Sequence, residues 1–303
     1  MNQFFQQFAN GLVLGSTYAL IALGYTMVYG IIQLINFAHG EIFMMGAFGG
    51  LATYTWVVPD GTPAGLAVLM VLVGAIVVSI GTAILMERLA YRPLRNAPRL
   101  APLITAIGVS IVLQEAIRLF YPGARTARPF PRFISGENIS IGEVTIARVS
   151  VVQLLTAVVL TVGLTLFIRR TRTGKAMRAT AEDPQTAQLM GINVDRIIVV
   201  TFVIGAALAA VAGVLQGMRF GQIDFRMGFL MGIKAFTAAV LGGIGNVAGA
   251  VLGGFLLGLV EVLATEYLPL GSAWKDVWAF VVLIAVLVFR PSGLLGERVA
   301  ARA

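Results

Sequence analysis

Cysteine is absent from the 303 residues. Disulfides, thiolate metal sites, cysteine nucleophiles and thiol redox chemistry are therefore excluded. Charge is scarce as well: Asp, Glu, Lys and Arg make up 12% of the chain, against ~25% in an ordinary soluble domain. Histidine occurs once, at His39, so no pair of imidazoles exists to hold a metal. The patterns HExxH and GxSxG are missing, and the one Gly-Lys step, Gly174-Lys175 in "RTGKAM", lacks the upstream glycine that would cradle phosphate. A TVGYG-type filter is missing too, and no apolar run carries a ladder of arginines. Metal-dependent hydrolysis, acyl transfer and ATP hydrolysis all lose their chemistry in this chain, and no cofactor is expected.

What is abundant is apolar surface and glycine. Hydrophobic residues account for 58% and glycine for 35 positions, and the mean hydropathy is +0.90. The solvent implied is a lipid bilayer, in which length is counted in spans of about 20 apolar residues. Nine apolar runs can be drawn, at 9–29, 37–57, 65–87, 101–121, 149–168, 198–218, 228–245, 246–266 and 276–290. Two of them are short, and if one is re-entrant the count of spans falls to eight. The fold class expected is an all-α integral membrane protein, a polytopic bundle of eight or nine transmembrane or re-entrant helices forming one domain over 1–303.

The net charge of +8 does not point to nucleic acid, because the 22 Lys and Arg residues fall mostly between the apolar runs. Positive loops mark the cytoplasmic side. The strongest are 87–99, 169–196 and the tail from Arg290. Counting crossings from them puts 122–148 outside, the N-terminus outside and the C-terminus inside. Within 122–148, "PFPRFISGENISIGEVTIARVS" alternates polar and β-branched residues between Pro and Gly signals and predicts a small hairpin. "MNQFFQQFAN" has no Lys or Arg, so the charged segment of a cleavable signal is missing and the first span is expected to stay. A weak echo between 37–50 and 245–258 suggests an internal repeat, with copies over 9–87 and 228–290.

Small residues cluster in "GAALAAVAGVLQG" (205–217) and "AAVLGGIGNVAGAVLGGFLLG" (238–258). In lipid such residues let helix backbones approach closely. The "GGIGNVAG" turn, with four glycines and Asn246, predicts broken helices, which are tolerated at membrane depth only where protein or a cavity surrounds the backbone.

The loop from 169 to 197 has its own design. Ala176 to Ala181 is helix-prone, Asp183 and Pro184 read as an N-cap with proline at the first helical position, and "PQTAQLMG" stops at Gly191. Two short helices are expected to meet at a proline elbow. Ala187, Met190 and Ile192 would offer an apolar knob ringed by Arg178, Glu182 and Asp183, a shape suited to docking on another protein.

Asn36, His39 and Glu41 stand together near the start of the second run. An ionisable side chain facing lipid costs about 2.5–3.5 kcal/mol, so Glu41 should face protein or water. Two readings are open. Asn36 can cap the helix, with Glu41 in its positive first turn and His39 as a hydrogen-bonded partner, or His39 and Glu41 are gate residues of a path. Tyr18, Thr26, Asn36 and Asn246 are the other polar groups placed nearest such a path.

The segments "GSTYALIALGYTMVYGIIQLINFAHGEIFMMGA" (15–47), "ERLAYRPLR" (87–95), "RATAEDPQTAQLMGINVDRI" (178–197), "TFVIGAALAAVAGVL" (201–215) and "KAFTAAVLGGIGNVAGAVLGG" (234–254) closely resemble the permease subunits of branched-chain amino acid ABC importers, the smaller of the two permeases. The resemblance runs over nearly the whole chain and is loosest at about 120–150. It implies an inner-membrane protein without catalytic residues, paired with a second homologous permease. Two separate ATP-binding cassette subunits would drive it from the cytoplasm, and a periplasmic or extracellular binding protein would deliver Leu, Ile or Val. The family's coupling motif falls on Glu182 to Gly191, so Arg178, Glu182, Asp183, Ala187 and Gly191 are carried over as ATPase-contacting candidates. Similar permeases carry urea, short amides or other amino acids. A rival reading from the residues is a secondary transporter using Glu115, Glu261 or Glu266, none of which is paired with another acid mid-span.

Overall fold

The computed structural model describes residues 2–95, 97–98, 100–134, 136–268 and 271–296. Every apolar run is helical. In chain order the helices are α1 (Asn2–Ile32), α2 (His39–Trp56), α3 (Ala64–Met86), α4 (Leu100–Phe120), α5 (Arg148–Arg170), α6 (Arg172–Glu182), α7 (Pro184–Leu189), α8 (Val194–Phe220), α9 (Met227–Gly242), α10 (Val247–Tyr267) and α11 (Lys275–Phe289). A π-helical turn at Glu87–Tyr91 and a 3-10 turn at Arg92–Leu94 continue α3. The expected hairpin is present as β2 (Ile139–Ile141) paired antiparallel with β3 (Val144–Ile146). A second ladder, not foreseen, pairs β1 (Arg128–Pro129) with β4 (Gln222–Ile223).

Among the described residues seven of these helices are long and apolar enough to cross a membrane, and with two shorter ones they fill the eight or nine transmembrane or re-entrant helices expected. The other two of the nine, α2 with 18 residues and α9 with 16, are the interior ones. At 1.5 Å per residue α9 reaches only about 24 Å, short of a ~30 Å hydrocarbon core. Protein covers most of α2 and α9, leaving Tyr54, Trp56, Phe229 and Leu230 exposed, so they can keep Glu41, His39 and Lys234, all buried. The bundle has an inside and an outside: 89% of the apolar stretch of α1 and 67% of that of α8 is buried, against 6% for the last span.

The local reasons for each helix end are ordinary. Thr171 accepts from the Gly174 amide to cap α6, Asp183 accepts from the Gln185 and Thr186 amides to cap α7, Asn193 caps α8 and Asn246 caps α10. α8 stops at Gly221 in the left-handed conformation, φ 70°. The break expected at "GGIGNVAG" is the α9–α10 turn, where Gly243 and Gly245 have φ of 107° and 96°. Carbonyls that α9 leaves open there accept from the C-terminal segment, Leu294 N to Leu241 O at 3.0 Å and Leu295 N to Gly242 O at 2.9 Å.

The packing order repeats itself. α1 lies against α10 and α9, and α8 lies against α3 and α2; α2 packs on α3 and α4, and α9 packs on α10 and α11. Exchanging α1–α4 for α8–α11 maps one set of neighbours onto the other. The sequence carries the same correspondence: "INFAHG" (35–40) and "IDFRMG" (223–228) both lead into the short helices α2 and α9. Gln33 and Gly221, each two residues before these motifs, both have left-handed backbone, φ 50° and 70°, and Gln33 is the one non-glycine residue so placed among the described residues.

Across the join the contacts are reciprocal. A Cβ on Gly40 would strike the Gly228 carbonyl, and a Cβ on Gly228 would lie 2.8 Å from the Gly40 carbonyl. The copies run in opposite directions. The N-terminal end of α1 touches the hairpin, Gln6 Nε2 donating to Thr145 O at 3.0 Å, whereas it is the C-terminal end of α8 that reaches the loop before the hairpin, Phe130 N donating to Gly221 O at 2.9 Å. The repeat is therefore inverted and pairs α1–α4 with α8–α11. The echo between 37–50 and 245–258 misleads, because 245–258 belongs to α10, the counterpart of α3; glycine content alone produced the likeness.

The left-handed conformation costs a residue with a Cβ about 1–2 kcal/mol. Gln33→Gly should relieve part of this and raise the detergent-solubilised melting temperature by about 2 °C, whereas Gly221→Ala should lower it, its Cβ being aimed at the Arg132 guanidinium. A melting temperature lowered by Gln33→Gly, or left unchanged by Gly221→Ala, would disprove the equivalence of the two positions.

Candidate interior junction and elbow cavity

Three of the polar residues singled out from sequence, Asn36, His39 and Glu41, meet where the two copies join, but not in the arrangement expected. Asn36 does not cap α2: the capping position is Ala38, which offers no side chain, and the Asn36 Oδ1 accepts from the Tyr91 hydroxyl at 2.7 Å. The α1–α2 turn folds back into the bundle, so Asn36 faces the end of α3 rather than the first free amides. His39 and Glu41 do not bond each other either. The His39 ring lies between Gly24 of α1 and Gly205 of α8, and 4.9 Å edge-on from Tyr25, and neither ring nitrogen has a hydrogen-bond partner among the described residues.

Glu41 is fully buried, and its Oε1 accepts from Ser110 Oγ and Gln114 Nε2 of α4, each at 2.8 Å. Its Oε2 is turned to Gly228 in the first turn of α9. One carboxylate thus joins α2, α4 and α9, close to the positive ends of two helices. Ser110 and Gln114 were missed; only their spacing on one face of α4 could have marked them.

Tyr18 belongs to a second cluster. Its hydroxyl donates to Glu261 Oε2 at 2.6 Å, and Lys234 Nζ donates to Glu261 Oε1 at 2.7 Å and pairs with Asp276 Oδ1 at 2.6 Å. The network ties α1, α9, α10 and α11 together. It corrects the view that Glu261 has no acid near it: Asp276, from another helix, shares its ammonium. Lys234 escaped notice, although a lysine inside an apolar run is itself a signal that a carboxylate waits elsewhere. Glu115 pairs with Arg118, and Glu266 accepts from Gln3 and Gln7.

Thr26 and Asn246 come together at the opposite end from the hairpin. Both line a cavity of about 720 Å³ between the ends of α1 and α5, the second half of α6, the α9–α10 turn and the C-terminal segment. Arg178 and Glu182 line it as well, so two path candidates and two coupling candidates share one space. Asn246 is occupied as the cap of α10 and also donates to Leu295 O at 3.0 Å.

The elbow itself forms as the sequence indicates, α6 and α7 meeting at Asp183–Pro184 and ending in Gly191 with φ 83°. The knob differs. Ala187 is buried at 3%, because the loop closes over it through Ile192 N to Ala187 O. Met190 is exposed as expected, at 78%, and Leu189 at 88% joins it in place of Ala187. Arg92 and Arg95 at the end of α3 pair with Asp195 at the start of α8, and Arg95 reaches the buried Glu87, which fixes the elbow's exit to the bundle.

Removing one partner of a buried charge pair costs about 3–5 kcal/mol. Lys234→Met alone should therefore cut the yield of folded, monodisperse protein severely, and Glu261→Gln added to it should restore at least half. A double variant no better than Lys234→Met would show that the ammonium does not serve to neutralise Glu261.

The chain was compared with known proteins on this basis. Residues 7–287 match the family model described as branched-chain amino acid transport system / permease component. The high-affinity branched-chain amino acid transport system permease protein BraD of Pseudomonas aeruginosa is 50% identical over 298 residues, 97% of this chain and 96% of that protein. LivH of Escherichia coli K12, which carries the same description, is 48% identical over the same shares. Among solved structures, PsaBC from Streptococcus pneumoniae in complex with Fab shares the fold, with a TM-score of 0.50 at 12% identity, covering 95% of this chain and 91% of that one. An interior junction of two inverted copies, an elbow on one end and near full-length identity to two permeases agree on one assignment: the chain belongs to the family of branched-chain amino acid transport system permease components.

Proposed function

We propose that this chain is a membrane-spanning permease of an ATP-driven importer that carries branched-chain amino acids across the cytoplasmic (inner) membrane. It works with a second, homologous permease, two ATP-binding cassette subunits and an external substrate-binding protein. The observation that carries this reading is the 50% identity over 97% of the chain to a permease of a branched-chain amino acid system. The missing phosphate loop supports placing ATP hydrolysis in partners.

The elbow is the part through which such partners would act. Leu189 and Met190 stand out on the short α7, and Arg178, Glu182 and Asp183 surround its base. α6 packs on α1, α5 and α8, and α7 on α6 and α8. A push on the knob therefore reaches α1 and α8, which cross at Gly24 and Gly205 with His39 between them. Tightly packed helices move as units rather than deform, so the displacement arrives at the α2–α9 junction. Selectivity resides mainly in the external binding protein, and the permease offers weak, transient contacts, since tight binding in a path slows release. Tyr18, Asn36, His39 and Glu41 act here by holding helices together, each having its polar contacts or its packing inside the protein.

Because Leu189 and Met190 are exposed, Leu189→Glu and Met190→Glu should insert and fold as the parent does. Loss of an interface hot spot costs about 2 kcal/mol or more, so ATP-driven leucine uptake by the reconstituted complex should fall at least about tenfold in each. Uptake at the parental rate in both would remove the elbow from coupling.

A further inference from the structure

The cavity at the elbow end has unspent chemistry. Arg169, Arg178 and Glu182, all three exposed to solvent, line it, and none has an ion-pair partner among the described residues. Arg178 and Glu182 are one turn apart on α6, so a cation and an anion stand side by side on one face. Thr26, 1% exposed, also lines the cavity, and its hydroxyl has no hydrogen-bond partner among the described residues. A buried hydroxyl without a partner calls for a ligand or water. The α10 N-terminus opens on the same space through Asn246, Val247 and Ala248 and favours negative charge.

Much of the remaining wall is apolar, formed by Met27, Ile31, Ile168, Met177, Val240 and Ile244, and Gln33, Thr165 and Ser292 complete it. A space of about 720 Å³ falls within the range of small-molecule sites, ~300–1,000 Å³. Its lining asks for a molecule with adjacent positive and negative charges and a compact hydrocarbon side chain.

We propose that this cavity is a regulatory site for a zwitterionic apolar amino acid arriving from the elbow side, and that occupancy slows transport. The carboxylate pairs with Arg178 and Arg169 near the α10 N-terminus, the ammonium faces Glu182, and the side chain lies on the apolar wall. A bound molecule ties α6 to α1 and α10, and α6 is the arm that carries the exposed knob of α7. Stiffening that arm opposes the movement that coupling requires. The inference rests on the transport reading above and adds feedback by accumulated product.

The test uses the complete importer in proteoliposomes with ATP in the bath and the binding protein and labelled leucine enclosed. Unlabelled leucine added to the bath then meets only the elbow end. Millimolar bath leucine should slow the initial rate of labelled transport about tenfold in the parent complex. Ile244→Trp, which fills the cavity, should abolish that inhibition while leaving the rate in leucine-free bath unchanged. Isovalerate and isoamylamine, each lacking one of the two charges, should not inhibit.

As an independent measurement that does not depend on this variant folding, purified chain alone should bind labelled leucine saturably, about tenfold more weakly with Glu182→Gln. Transport indifferent to bath leucine, inhibition that persists in Ile244→Trp, inhibition by isovalerate, or a cavity filled by phospholipid that leucine does not displace would each overturn the proposal. No transport of labelled leucine even into an empty bath would instead overturn the transport reading.

Discussion

Gly40 and Gly228 meet backbone to backbone, and a Cβ on either would collide with the other's carbonyl. Within a bilayer no hydrophobic force drives helices together, so close packing and internal hydrogen bonds must do so. The contact lets two helices start inside the bundle without exposing unpaired backbone to lipid. Once it is made, His39 is held against Gly24 and Gly205, and Glu41 is brought to Ser110, Gln114 and the first turn of α9. The inverted repeat is the larger consequence: on each side a left-handed residue two positions before the same "I-[N/D]-F-x-x-G" stretch gives the exit, and the stretch supplies a return into the bundle and a glycine at the join.

The two buried charged sites differ in what they leave over. Glu41 spends one oxygen on α4 and turns the other to α9; Glu261 and Asp276 share Lys234, with Tyr18 closing the set. Both sites cross-link helices far apart in sequence. At the elbow cavity the opposite holds: the exposed Arg169, Arg178 and Glu182 line a common space with the buried Thr26 and make no ion pair among the described residues. A chain with 12% charged residues keeps a group of unspent ones where the elbow meets the bundle, and that asymmetry separates residues that hold the structure from residues that can respond to a solute.

Features set by near neighbours in the chain were legible in the sequence. All nine apolar runs are helices, the hairpin at 139–146 forms, and the Asp183–Pro184–Gly191 signals give the elbow. Features set by distant contacts were not. α2 has the length of a short span, but protein covers most of it, and that depends on α8 and α9. Asn36 looked like a cap because it precedes a helix, yet Tyr91 from another element takes its oxygen. Lys234, Glu261 and Asp276 are scattered over three helices, and Ala187 is buried by its own loop, so Leu189 takes its place in the knob beside Met190. The repeat was sought through glycine-rich likeness, whereas its signature is a short mixed motif with matching backbone conformation.

All of the functional account depends on which side of the membrane each end occupies: the elbow in the cytoplasm, the hairpin outside. The absence of cysteine makes this directly measurable, since any thiol introduced is the sole one. Leu189→Cys and Ser140→Cys place single thiols at exposed positions on the two ends. In spheroplasts, a membrane-impermeant maleimide should label the thiol at 140 at once and the thiol at 189 only after permeabilisation. Labelling of the thiol at 189 in intact spheroplasts would contradict the account.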